Sequence, residues 1–255
     1  MTNNNSIEKG RNRFKVIIKY TNVEESRAAF NVMKEVLDSK PNPVLGLATG
    51  SSPVGLYKEM IKDHEETGRS YKDIITFNLD EYVGIPRDHE QSYYTFMHEN
   101  LFNYIDCPEE NIHVPEGNTD DHEKACVDYE NALKQHVVDI QVLGIGSDGH
   151  IAFNEPGCPF DSETHLMELT EQTRSDNARF FDGDINQVPT LSITQGLGSI
   201  MRAKKILLIA TGANKADAVW GMLKGEKTTD CPASILQDHA DVTVILDRAA
   251  ASRIA

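Results

Sequence analysis

The chain has 255 residues, 39% hydrophobic and 25% charged, and its 40 acidic against 25 basic side chains give a net charge of -15. This length suits a single domain with one sizeable core, while the acidic balance excludes a general nucleic-acid or anionic-membrane binder, which needs a positive face. Four scattered cysteines without a C-x-x-C pair exclude a disulfide framework and a zinc cluster.

Residues 1–13 contain no apolar secretion core, and nowhere do 18 apolar residues run together. The expectation is a cytoplasmic protein with a flexible tail over 1–13 and one domain over 14–255. Residues 14–20 (FKVIIKY) read as a strand, and Asn22 followed by Glu25 as the capping-box-like start of a helix carrying Phe30, Met33 and Leu37 at helical spacing. Residues 44–49 (VLGLAT) predict a second strand, followed by a Gly/Ser turn and a helix with Pro53 in its first turn. Further short apolar strands fall at 74–80, 140–146, 205–211 and 242–247, separated by segments with helical character. The alternation predicts an α/β fold with a mainly parallel sheet and helices on both faces.

In such sheets ligands gather at the carboxyl ends of strands, which selects a few loops. Thr49, Gly50, Ser51 and Ser52 end one strand and open a helix, as either a phosphate cradle or a plain helix cap. Gly50 and Gly55 have Walker-type spacing, but Leu56 and Tyr57 follow where a nucleotide loop needs Lys and Ser or Thr. Asp80 and Glu81 end another strand, and alternation sends only one of them toward a cleft. Gly144, Gly146 and Gly149 in GIGSDGHIAFNEP match G-x-G-x-x-G, yet Pro156, Gly157 and Pro159 forbid the helix that a dinucleotide site requires. The same loop holds Asp148, His150 and Glu155, a group suited to proton transfer, with a hydrogen-bonded loop histidine or a metal as rivals. Arg179 and Lys215 offer cations to an anionic ligand, whereas Arg174 reads as solvated.

Taken together, LGLATGSSPVGLY, TFNLDEYVG, SYYTFMHENLF, GIGSDGHIAFNEPG, TRSDNARFF, ATGANKADAV and DVTVILD resemble the glucosamine-6-phosphate deaminase (isomerase) family across residues 14–250. The resemblance implies a Rossmann-like fold and conversion of D-glucosamine 6-phosphate and water to D-fructose 6-phosphate and ammonia, without cofactor or metal. It implies that Asp80 is the base that moves a proton from C2 to C1. His150 would open the sugar ring, oriented by Asp148 and Glu155, while Thr49, Gly50, Ser51, Ser52, Arg179 and Lys215 would contact substrate and phosphate. It further implies a lid over 158–188. His165 and Met167 stand where allosteric members carry Arg and Lys, so no activator site is expected, and self-association is left open. The related 6-phosphogluconolactonases also lead a Gly-rich loop into D-G-H, but IAFNEPG and FNLDEYVG match the deaminases. A non-catalytic sugar-phosphate sensor would have no need of the proton-transfer residues kept here.

Overall fold

The computed structural model describes residues 4–9 and 12–254, with side chains from Phe14 onward. Its strands are β1 (Asn4–Lys9), β2 (Asn12–Lys19), β3 (Val44–Leu47), β4 (Ile75–Asn78), β5 (Asp80–Tyr82), β6 (Ile112–His113), β7 (Ile140–Leu143), β8 (His165–Glu168), β9 (Leu191–Thr194), β10 (Ile206–Ala210) and β11 (Val242–Asp247). The α-helices are α1 (Asn22–Ser39), α2 (Val54–Thr67), α3 (Tyr93–Asn100), α4 (His122–Lys134), α5 (Glu171–Asn177), α6 (Leu197–Ile200) and α7 (Ala216–Lys224).

The main sheet runs β1-β2-β11-β10-β7-β3-β4-β6, and all its neighbours are parallel except the β1–β2 pair. Strands β3, β7 and β10 are buried along their whole length, as expected of a sheet covered by helices. The segment expected as a tail instead carries β1, antiparallel to β2; residues 1–3, 10 and 11 of that expectation lie outside the described residues.

Two boundaries differ from the sequence reading for local reasons. The cap of α1 is Thr21 rather than Asn22: its side chain accepts the Glu24 N–H while Glu24 reaches back to the Thr21 N–H. More consequentially, residues 74–80 are not one strand. After β4 the chain leaves the main sheet at Leu79, whose N–H donates to Leu47 O (3.1 Å) and whose carbonyl accepts from Gln195 N (2.7 Å). Asp80 then opens β5, part of an antiparallel sheet ordered β5-β9-β8. A small aromatic core forms there from Tyr82, Phe153, Leu169, Ala178, Phe181 and Val188, separate from the main core.

Chain direction fixes where a ligand fits. From β3 the chain moves outward to β4, and from neighbouring β7 it eventually returns on the other side to β10. The loops after β3 and β7 therefore diverge and leave a crevice at the carboxyl ends of the strands, the position where open parallel sheets bind ligands.

Candidate active site

That crevice is a cavity of about 760 Å³ whose walls include Thr49, Gly50, Ser51, Ser52, Asp80, His150, Arg179 and Lys215. Five segments distant in sequence meet there. Asp148 and Glu155 stand behind His150 rather than on the wall.

Asp80 and Glu81 point apart, as strand alternation requires. Glu81 faces inward and accepts the N–H groups of Tyr82 (2.9 Å), Tyr93 (2.9 Å) and Tyr94 (3.0 Å), so it caps α3. Asp80 faces the cavity, 6% exposed. Burial and then the nearby Glu81 charge push its carboxyl up to about 8.

His150 owes its position to two glycines. A Cβ on Gly146 would lie 2.3 Å from His150 Cε1 and Nδ1, so only glycine admits the imidazole. Gly149 adopts φ 89°, and a Cβ there would meet Cys231 Sγ at 2.6 Å. Gly144, by contrast, faces open space. The G-x-G-x-x-G pattern thus shapes a histidine loop, and no helix follows it.

Asp148 Oδ1 lies 2.7 Å from His150 Nδ1 and accepts the His150 N–H at 3.1 Å. Burial pushes the Asp148 carboxyl up, but the contact with His150 outweighs it and lowers the group to about 2. Glu155 Oε1 accepts from Thr170 N (3.1 Å) and Oγ1 (3.3 Å), while its buried Oε2 lacks a hydrogen-bond partner and stands 3.9 Å from His150 Nδ1. With Nδ1 occupied by carboxylates, Nε2 is the nitrogen available to a ligand. The three donor atoms lie within 4.8 Å of one another, close enough to share a cation as well as a proton.

The opposite wall suits an anion. Gly50 turns with φ 88°, which lets the Thr49–Ser52 backbone approach a ligand ahead of α2. Gly55, the other half of the Walker-like pair, serves helix packing: a Cβ would lie 2.0 Å from Ser26 Oγ on α1. Lys215 follows Gly212, whose N–H is held by Asp247 Oδ2 at 3.1 Å. Burial lowers the Lys215 ammonium, Asp176 and Asp148 oppose that, and Arg179 adds to it. Arg179 sits at the rim with its guanidinium 4.7 Å from the Phe180 ring. Arg174 is not a solvated charge: it donates to Ile185 O (2.8 Å) and Val188 O (3.3 Å) and pins that loop.

Sequence reasoning missed the aromatic wall. Tyr82, Tyr93 and Phe153 line the cavity beside Asp80, and Tyr82 and Tyr93 lie 4.8 Å apart between ring centroids. Their signal was the run of aromatic residues in DEY and SYYTF, read there only as resemblance. Asp176 and Asn177, next to the predicted Arg179, also line it.

A parallel α/β sheet with a buried carboxylic acid, a carboxylate-flanked imidazole and a cation-bearing turn around one crevice defines a protein built for acid–base work on a small anionic metabolite. Residues 24–245 match the family described as glucosamine-6-phosphate isomerases/6-phosphogluconolactonase, and the chain belongs to that family. It is 48% identical over 241 residues to a glucosamine-6-phosphate deaminase of Thermoanaerobacter pseudethanolicus, covering 94% of this chain and 95% of that one. A deaminase of Streptococcus thermophilus is 49% identical over 240 residues, covering 94% and 99%. Among solved structures, a monomeric glucosamine-6-phosphate deaminase superposes with a TM-score of 0.91 at 44% identity, over 93% of this chain and 99% of that one. A 6-phosphogluconolactonase of Trypanosoma brucei superposes at 0.79 with 22% identity, over 94% and 98%, which is a likeness of fold alone. Among the described residues no helix is long and apolar enough to cross a membrane.

Proposed function

We propose that the protein converts D-glucosamine 6-phosphate and water to D-fructose 6-phosphate and ammonia, as a cytoplasmic enzyme of amino-sugar catabolism. The observation that carries the reading is the meeting of Asp80 and His150 in one cavity with the Thr49–Ser52 turn, Arg179 and Lys215. His150 takes the proton of the anomeric hydroxyl and returns one to the ring oxygen, which opens the sugar. The flanking Asp148 and Glu155 face the ring from its Nδ1 side and keep Nε2 turned to the substrate during that exchange.

Asp80 then removes the proton from C2 and delivers it to C1 through an enolamine. Water adds to the resulting C2 imine and ammonia leaves, giving the ketose. The hydrogen lost at C2 is regained at C1, so the reaction is redox-neutral and requires no hydride carrier. Segment 158–188 acts as the lid, because its Thr173, Asp176, Asn177, Arg179, Phe180 and Phe181 reach the cavity.

The phosphate anchors the substrate on the turn, Lys215 and Arg179. A net charge of -15 does not oppose this, since exposed charges beyond a Debye length of about 8 Å are screened. Lys215→Ala removes one charge-assisted hydrogen bond of about 1.5–3 kcal/mol, so KM is expected to rise roughly 10- to 100-fold in steady-state assays. An unchanged KM would remove Lys215 from the phosphate site.

The reaction is tested by incubating purified protein with glucosamine 6-phosphate in chelator-treated buffer and following ammonia and fructose 6-phosphate together. Equal release of the two is expected. Release only after a divalent cation is restored would reassign Asp148, His150 and Glu155 to metal binding. Acid release from 6-phosphogluconolactone, with no ammonia from the amino sugar, would favour the lactonase reading.

A further inference from the structure

The surroundings of Asp80 are unusual for a carboxylate that must ionise. Among the described residues, no hydrogen-bond donor and no cation reaches its carboxyl group; burial and Glu81 are the influences that act on it. The neutral donors around it are committed elsewhere. Tyr57 of α2 donates to Ala48 O (2.5 Å), and Tyr129 of α4 donates to Asn78 O (2.6 Å). Thr194, opposite Asp80 on β9, donates to Gln195 O at 3.3 Å. The remaining titratable neighbours are Tyr82 on β5 and Tyr93 on α3, phenols that burial keeps protonated. The cavity cations Lys58, Arg179 and Lys215 belong to other parts of the wall, and none influences Asp80.

A carboxylate so placed lacks one thing, a counter-cation, and the cavity is the only side from which it can come. Resting on the reaction proposed above, we infer that the Asp80 end of the cavity is an ammonium subsite, in which the protonated amine of the substrate converts Asp80 from neutral acid to the carboxylate base. The rings of Tyr82, Tyr93 and Phe153 wall it: Tyr93 and Phe153 are stacked at 5.9 Å and Tyr82 lies 5.6 Å from Phe153, so this part of the lining brings no charge of its own to compete with an incoming amine.

The consequence is specificity built into activation. A sugar phosphate with a hydroxyl at C2 would occupy the phosphate turn yet leave Asp80 protonated and without basicity. Because the free carboxyl is pushed up to about 8, it carries its proton near neutrality, and pairing with an ammonium expels that proton.

The test is calorimetry near neutral pH in two buffers of different ionisation enthalpy, which counts protons released on binding. The ligands are 2-amino-2-deoxy-D-glucitol 6-phosphate, which cannot react, and D-glucitol 6-phosphate, which lacks the amine. Wild-type protein is expected to release close to one proton more with the amine ligand and to bind it at least tenfold more tightly. Asp80→Asn is expected to erase the extra proton while still binding inorganic phosphate. Equal proton counts for both ligands on the wild type, or an extra proton that survives in Asp80→Asn, would overturn the inference. The wild-type comparison decides alone if the variant fails to fold. Ammonia release with equal proton counts would keep the reaction and discard the subsite; an extra proton without turnover would do the reverse.

Discussion

Asp80→Asn is expected to lower kcat by at least about 10²- to 10⁴-fold, the contribution of a positioned general base, with phosphate affinity retained. Asn keeps the shape of the side chain and the pairing of β5 but cannot accept the C2 proton. Stability should move the other way. Asp80 has a folded-state proton affinity raised from 3.8 to about 8, so the stability it contributes is present below the lower value and lost as pH rises through the higher one. The variant has no charge to bury, and its stability advantage over the wild type, followed by thermal melts, should grow across that window, by on the order of a few kcal/mol at the alkaline end. The kcat/KM of the wild type, which reports the free enzyme, follows the opposite sign and rises with pH as Asp80 ionises. A variant that turned over normally, or that was less stable than wild type at alkaline pH, would contradict the assignment of the base. Gain of stability on removal of a functional charge is the ordinary cost relation between activity and fold.

The second large effect comes from a residue that touches no substrate. In Gly146→Ala the new methyl would stand 2.3 Å from two atoms of the His150 ring and 2.7 Å from Asp148 Oδ1. The backbone cannot yield easily, because Gly146 N donates to His150 O at 2.8 Å and Gly149 N to Gly146 O at 3.1 Å. The ring must therefore swing, and a displacement near 1 Å in a catalytic group costs about 10²-fold. We expect that loss in kcat, with a stability penalty of about 1–3 kcal/mol for overpacking. Gly144→Ala, where a Cβ meets nothing within 4 Å, should show little of the stability penalty. Thermal melts and kinetics of the two variants side by side separate crowding of His150 from a general demand for glycine in this loop.

These two predictions mark how far the sequence could be read. Apolar runs such as residues 206–210 and 242–247 disclose their strands because a doubly covered sheet needs unbroken hydrophobicity, and the boundaries fall within a residue or two. The break at Leu79 is invisible to that logic. Leu79 is as apolar as its neighbours, and its departure from the main sheet depends on Gln195, 116 positions away, accepting nothing from sequence proximity but donating its N–H to the Leu79 carbonyl. The site residues were legible one loop at a time because strand ends, turn residues and titratable side chains coincide at Thr49–Ser52, Asp80 and Asp148–Glu155. Their convergence came only from the rule that ligands gather at strand ends and from the resemblance to a family, since the spacing of single loops does not disclose strand order. The role of Gly146 was also hidden: only the position of the His150 ring distinguishes it from Gly144. Arg174 shows the converse error, a charge that looks solvated in sequence but whose guanidinium holds the carbonyls of Ile185 and Val188.

The arrangement also explains how one fold can serve different chemistries. On the proposed reading, the Thr49–Ser52 turn and the cation wall need only hold an anion, whereas the fate of the sugar is decided by what faces it from β5 and from the loop after β7. Binding of the unreactive phosphate end can be used to orient the reacting carbons against Asp80 and His150, which is where remote binding lowers a barrier. Loops at strand ends vary without disturbing the sheet beneath them, and a proton-transfer pair on two separate loops can be placed on either side of one substrate.

The most direct test of this account is a crystal structure of the protein with 2-amino-2-deoxy-D-glucitol 6-phosphate. The expected result is a phosphate held by the Thr49–Ser52 turn and Lys215, with the amine and C2 beside Asp80 and the C1 end within reach of His150. A ligand whose phosphate lies elsewhere, or whose C2 faces away from Asp80 while the phosphate is so held, would contradict it.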